Sequence, residues 1–209
     1  MDRRRALMGT AKRKLPTGYQ EVDYILNTAG AYIDLERTAK TTDKVIVHAK
    51  LKETGKDVPR YLFGYSSGNR YMIAVANASD SYIVDLLSST YRITSNISGY
   101  DGMYHVHRIE NKEYFIDDIS RGASSARAAE SGTLWLFGAN GSTLNSIWEI
   151  KRFELVKDGV KTMELIPAVR VSDNAVGMYD LCGTVCPLTG TPFYVNAGSG
   201  SFTAGPTVN

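Results

Sequence analysis

Two acids, Glu21 and Asp23, stand two residues apart in E-V-D-Y-I-L, and two imidazoles, His105 and His107, stand two apart in Y-H-V-H-R. On an extended strand that spacing puts both members of a pair on one face. Paired carboxylates facing one cleft are what a glycan hydrolase needs for its acid and its nucleophile. Here Leu26 occupies the place of a third acid, which weakens the parallel. Paired imidazoles can hold zinc, but no third ligand stands nearby in the sequence. An exposed strand face that alternates polar with apolar residues explains the two histidines more simply.

Other chemistry is weaker still. Cys182 and Cys186 lie far from His48, His105 and His107, and read as reduced thiols in a surface turn, with a short-range disulfide as the alternative. No G-x-S-x-G elbow is present, and G-S-G at 198–200 does not open a helix after a strand, as a phosphate loop must. Asp173-Asn174, and Asn77 with Asp80, are too sparse for calcium. The expectation is a protein without catalytic residues, cofactor or metal.

Binding is better supplied. Sugar-binding sites present aromatic faces to pyranose C–H groups and flank them with Asn, Asp or Arg for the hydroxyls. Tyr65, Tyr71, Tyr91 and Tyr100 lie beside Asn69, Arg70, Arg92 and Asp101, and these eight form the candidate glycan site. The competing reading is that tyrosine is simply a good sandwich-strand residue.

The elements that must carry these residues are strands. V-I-V-H-A-K-L at 45–51 alternates, with Val45, Val47, Ala49 and Leu51 on one face. Further strands are expected at 60–65, 71–76, 82–87, 103–109, 114–117, 134–138 and 147–156, separated by turn signals at 66–69 and 77–80. Asn111-Lys112 sits where a hairpin turn belongs, and Asp117-Asp118 reads as another. Only S-S-A-R-A-A-E at 124–130 has helical composition. Many short strands without intervening helices argue for an all-β sandwich or barrel.

The chain has 209 residues and a formal net charge of +2, too small to imply a polyanionic partner for the whole protein. The positive charge is concentrated in Arg3, Arg4, Arg5, Lys12, Arg13 and Lys14. Residues 1–14 are therefore read as an arm, and 15–209 as the domain. No interleaved aromatics accompany the arm, which argues against nucleic acid. Docking onto another protein is favoured, with Leu7 and Met8 as apolar anchors and Arg3, Arg4 and Arg5 as charged contacts. No apolar run approaches a membrane span, and no apolar stretch follows the basic start as in a secretion signal. The glycosylation-like triplets at Asn77, Asn96 and Asn140 are read as chance.

Three stretches carry a resemblance. L-P-T-G-Y-Q-E-V-D-Y-I-L-N-T-A-G-A-Y-I-D at 15–34 resembles the opening segment of a concanavalin A-like, LamG-type jelly-roll family of gut bacteria and their phages. L-W-L-F-G-A-N-G at 134–141, with I-W-E-I-K-R-F-E-L at 147–155, is similar to its penultimate strands. L-I-P-A-V-R at 165–170, G-M-Y-D at 177–180 and F-Y-V-N-A-G-S-G-S-F-T-A-G-P at 193–206 resemble its closing signature.

The resemblance implies a jelly roll of two antiparallel sheets. Family members occur as modules of phage virion proteins, head and tail fibres included, or of bacterial surface proteins. The loop at 182–192 is longer than the family pattern. The chain reads as complete in itself, with an arm, which favours a small virion component over a surface adhesin.

The expected function is therefore a non-enzymatic phage protein at the particle surface. It would be made in the host cytoplasm, anchored by its arm to other virion proteins, and display a lectin-like domain for host-surface glycans. A bacterial carbohydrate-binding module is the alternative, and a glycan hydrolase the third reading. A homo-oligomer would suit a fibre. Within the closing signature, Tyr179, Phe193, Tyr194 and Phe202 are expected to pack the sandwich, and Gly198, Gly200 and Gly205 to permit tight turns.

Overall fold

The computed structural model describes residues 15–52, 60–76, 81–99, 101–141 and 146–208; the arm residues Arg3, Arg4, Arg5, Leu7 and Met8, and Tyr100, lie outside them. The first half contains β1 (Tyr19–Glu21), β2 (Ile25–Asn27), β3 (Ile33–Asp34), β4 (Lys44–Leu51), β5 (Arg60–Tyr65), β6 (Arg70–Val75) and β7 (Ser81–Ser98). Then come β8 (His105–Glu110), β9 (Glu113–Ile116), β10 (Ile119–Ala123), β11 (Trp135–Leu136) and β12 (Trp148–Lys157). The chain closes with β13 (Val160–Arg170), β14 (Ala175–Asp180), β15 (Phe193–Tyr194) and β16 (Phe202–Ala204).

These strands form an antiparallel sandwich of the jelly-roll type. The larger sheet has 11 strands, in the order β10-β9-β8-β4-β12-β13-β14-β15, with β1 on β13, β2 on β12 and β16 on β2. The smaller has 5, in the order β3-β11-β5-β6-β7. Period-two alternation sends Val45, Val47, Ala49 and Leu51 of β4 inward, where they meet Phe153 and Leu155 of β12 and Leu62, Phe63, Tyr71 and Ile73 of the smaller sheet. Phe63 lies 5.7 Å from Phe153, ring to ring, so aromatic contact joins the two layers.

Turn chemistry agrees with the residues present. Asn111 and Lys112 both have positive φ, at 48° and 66°, and Glu110 pairs with Glu113 across them, the type I′ geometry of a two-residue hairpin. Asp117 and Asp118, at 53° and 64°, do the same between β9 and β10.

Three expectations change. Residues 124–130 form no helix, and among the described residues none of any kind occurs; Ala126 is buried within an irregular segment. The strand expected at 134–138 shrinks to Trp135–Leu136, because Phe137 takes φ 69° and leaves the ladder. The strand expected at 82–87 continues to Ser98.

That long strand cannot be straight. Seven extended residues span roughly 23 Å, yet Arg92 bonds to Asp85 at 2.7 Å, so the chain doubles back between them. Leu87, at φ 76°, lies within the reversal. Beyond it, Ile93 is buried and faces β10, where a Cβ on Gly122 would stand 3.3 Å from its methyl group. The returning segment thus bridges toward the edge of the larger sheet.

The closing signature ties the two ends of the chain together. Phe202–Ala204 pairs with Ile25–Asn27. The Asn196 side chain uses all its bonding capacity locally. Its Oδ1 accepts the N–H groups of Tyr32 (3.1 Å) and Gly198 (2.9 Å), and its Nδ2 donates to the carbonyls of Gly198 (3.0 Å) and Gly200 (2.6 Å). Gly198 and Gly200 are needed for close approach, which corrects the expectation of tight turns: neither they nor Gly205 has positive φ. A Cβ on Gly198 would lie 1.9 Å from the Gly30 carbonyl oxygen, and one on Gly200 2.5 Å from the Ala31 nitrogen.

Asp180, the acid of G-M-Y-D, is buried and accepts backbone N–H groups from Glu164 (2.8 Å), Cys182 (3.0 Å) and Thr184 (3.0 Å). It starts the 182–192 loop from a fixed point. Phe193 and Tyr194 are buried as expected, whereas Tyr179 and Phe202 are half-buried, Tyr179 packing edge-on against Tyr19 at 4.8 Å.

Candidate glycan-binding face

The outer face of the smaller sheet carries the best-formed group of binding side chains. Strand register places Asp34 opposite Trp135, Trp135 opposite Gly64, Gly64 opposite Met72, and Met72 opposite Asp85, so the five form one row across the sheet, of which Gly64, Met72 and Asp85 are buried. Leu136, Phe63 and Ile73 alternate with them and point into the core. At about 4.8 Å per strand, the row spans roughly 14 Å from Trp135 to Asp85.

One end of the row is aromatic. The half-buried ring of Tyr32 stacks on Trp135 with centroids 3.9 Å apart and planes at 22°. Tyr32 is held from behind: its N–H binds Asn196, and its ring lies so close to Gly198 that an added Cβ would come within 2.8 Å of it. The closing signature therefore fixes the pose of this stack.

The other end is cationic. Arg92 donates its Nε and Nη2 to the two oxygens of Asp85 at 2.7 and 2.8 Å, and Arg70 donates its Nη1 at 3.4 Å. Asp85 is 0% exposed, whereas the Arg70 and Arg92 side chains are 38% and 37% exposed. A carboxylate removed from water requires charged hydrogen-bond partners. Burial of Asp85 therefore recruits the arginines, and their remaining N–H groups stay at the surface.

This arrangement redistributes the eight candidate residues. Arg70 and Arg92 come together. Asn69 lies on the adjoining turn and donates to the Glu130 carbonyl at 3.2 Å. Tyr71 is a correction: it is buried in the core against Phe63, because Arg70 and Met72 take the outer face and alternation turns Tyr71 inward. Tyr65 packs its ring over Gly132, and Tyr91 is likewise half-buried against the core. Asp101 belongs elsewhere, beside His105.

The residues that sequence reasoning missed are Tyr32, Trp135 and Asp85. A lone acid inside the apolar run Y-I-V-D-L-L is the signal that could have found Asp85, since such an acid must be paired.

His105 and His107 correct a second expectation. They face inward, not outward, since His105, His107 and Ile109 form the buried half of β8. His107 is fully buried, receives or donates one hydrogen bond with Tyr114 Oη at 2.8 Å, and is held neutral by burial, its pKa lowered to about 3. His105 sits between Asp117 (2.7 Å) and Asp101 (2.8 Å). Burial opposes its charge, but the two carboxylates outweigh burial and raise its pKa. Among the described residues no group of three or more His, Cys, Asp or Glu side chains has a metal-holding arrangement.

The acid pair Glu21 and Asp23 is not set up as a hydrolytic couple. Asp23 is paired with Lys151 at 2.8 Å, and Glu21 sits on a strand opposite Ala168. On the same outer face of the larger sheet, Tyr104 donates to Glu149 at 2.6 Å while Lys50 and Lys151 lie over its ring. Burial raises the Glu149 pKa, but Lys50, Tyr104 and Lys52 together hold it low. Nearby, Glu154 stands directly opposite Glu164, and Arg152 and Lys161 each bind both. The two cations and two acids of that second cluster balance.

A cavity of about 320 Å³ at the hairpin end is lined by Asp43, Lys44, Glu110 and Asp158, with Lys44 paired to Glu110 at 3.4 Å. Both cysteines are free; Cys182 is exposed, but Cys186 is buried in the core and not in a surface turn.

No family model matches the chain, and no curated protein matches it.

Proposed function

We propose that this protein is a non-enzymatic appendage of a phage particle that holds host-surface glycan on the outer face of its smaller sheet. The observation that carries the binding part is the presence of two solvent-reaching groups at the ends of one strand row, the Tyr32–Trp135 stack and the arginines Arg70 and Arg92 on Asp85, roughly 14 Å apart. An aromatic face for pyranose C–H groups, and fixed donors about two to three sugars away, are the two contacts a glycan chain requires. The phage setting rests on the resemblance of residues 15–34, 134–155 and 165–206 to virion jelly rolls. The arm at 1–14 is read as the anchor to other virion proteins.

Mass spectrometry of purified particles from an infected host tests the setting. The full-length protein is expected in the particles, and a chain lacking residues 2–14 is expected to be absent from them while keeping its melting temperature. Incorporation of the shortened chain would remove the anchoring role of the arm. Absence of the full-length protein from particles would favour the carbohydrate-binding module of a bacterium, which the same face would serve equally.

A further inference from the structure

The two arginines do more than neutralise Asp85. One guanidinium held by two hydrogen bonds already matches one carboxylate, and Arg92 supplies it. Arg70 adds a second positive charge through a single longer contact of 3.4 Å, leaving an excess of one positive charge in the group. Its cost in side-chain entropy has no counterpart in the packing of Asp85 alone.

The chemistry offered outward is also one-sided. Arginine carries five N–H donors and no acceptor. Arg92 uses two groups and Arg70 one on Asp85, and the others have no partner among the described residues. The carboxylate beside the arginines is buried and already engaged by both, and the other acid of the row, Asp34, lies at the far end opposite Trp135. A neutral sugar presents hydroxyls that both give and accept, and is best met by mixed donors and acceptors. The arginine end of the row, donor-only and with excess positive charge, suits a group that only accepts.

We infer that the Asp85-held arginine pair is the subsite for an anionic group on the glycan. This inference rests on the glycan-binding reading and narrows its ligand to acidic polysaccharide. The planar fork of Arg92, oriented by Asp85, and the free edge of Arg70 match a carboxylate or a phosphate oxygen pair. The Tyr32–Trp135 stack, at the other end of the row, would take an uncharged ring of the same chain.

The test uses the full chain and three polymers: polygalacturonate, its carboxyl-reduced product, and polyribitol phosphate. Affinity is measured at low and high salt, and the side-chain Nε–H signals of Arg70 and Arg92 are followed by NMR. An acidic polymer is expected to bind about tenfold more tightly than the reduced one, as one added charged hydrogen-bond pair implies. Arg70→Gln is expected to remove that difference while lowering the melting temperature by no more than about 3 °C, because Asp85 keeps Arg92. Which acidic polymer moves the arginine signals distinguishes carboxylate from phosphate.

Equal binding of acidic and reduced polymers, unaffected by Arg70→Gln, would overturn the anionic subsite and leave glycan binding standing. Binding of none of the three would overturn the subsite, and loss of every neutral glycan on an array as well would overturn the broader reading.

Discussion

Asp85 accepts hydrogen bonds from both Nε and Nη2 of Arg92, at 2.7 and 2.8 Å, although the two stand seven positions apart in the chain. The pair both fastens the reversal within Ser81–Ser98 and sets a guanidinium at the surface of the smaller sheet. Structure and binding thus share one buried carboxylate.

Arg92→Ala should lower stability by about 2 kcal/mol, the usual cost of losing hydrogen bonds to a buried charge. Arg70→Ala should cost under about 1 kcal/mol, since its one contact is longer and half in solvent. Urea unfolding of both variants checks the order. An equal or reversed ranking would mean that Arg70, not Arg92, is the main partner of Asp85.

Asn196→Ala removes four hydrogen bonds and should cost about 2–3 kcal/mol. Gly198→Ala should cost at least as much, because the added methyl meets the Gly30 backbone and not a movable side chain. Both should also change the near-ultraviolet signal of Trp135, whose stacking partner Tyr32 leans on this loop. Stability loss without that spectral change would separate the clasp from the aromatic end of the face.

Acid should weaken the fold through His107. Its folded pKa of about 3 lies below the ordinary 6.5, so the unfolded chain binds a proton that the folded one refuses. Stability should therefore fall as the pH drops from 6.5 toward 3, with this residue contributing up to about 1.4 kcal/mol per pH unit. His105 acts in the opposite sense: its raised pKa adds stability that is complete below 6.5 and fades as the pH rises through the folded value. Unfolding free energies across this range should be flatter on the acid side in His107→Gln. An unchanged acid limb would show that other groups govern it.

Lys112 holds φ 66° in a two-residue turn and is half-buried there, a conformation in which a glycine has no steric cost. Lys112→Gly should raise stability by roughly 0.5–1 kcal/mol. Thermal melting suffices to check the sign, and a loss would mean that the Lys112 side chain makes a contact worth more than the turn strain.

The fold was legible where alternation is strong. Val45 to Leu51 announces its buried face, and Asn111-Lys112 announces its turn. Legibility failed where tertiary pairing overrides local pattern. His105 and His107 look like the polar half of a strand, yet Asp101, Asp117 and Tyr114 satisfy them from within. Gly198 and Gly200 of the closing signature look like turn formers, but it is the backbone of residues 29–31, far away in sequence, that requires them.

The candidate site was half legible for the same reason. Arg70 and Arg92 were recognisable as polar flanks of tyrosines. Their meeting point, Asp85, depends on a reversal inside an unbroken strand-like run, and the stack of Tyr32 on Trp135 joins residues a hundred positions apart. Tyr71, one of the four candidate tyrosines, is a core residue, and the aromatic surface belongs instead to Tyr32 and Trp135.

The central claim is that the outer face of the smaller sheet holds glycan without cutting it. The most direct measurement incubates the purified protein with the host's surface polysaccharide and follows both retention and polymer length, in the native chain and in Trp135→Ala. The expected result is retention of polymer of unchanged length by the native chain and clear weakening in Trp135→Ala, with its fold intact. Shortened polymer, or retention indifferent to Trp135, would contradict it.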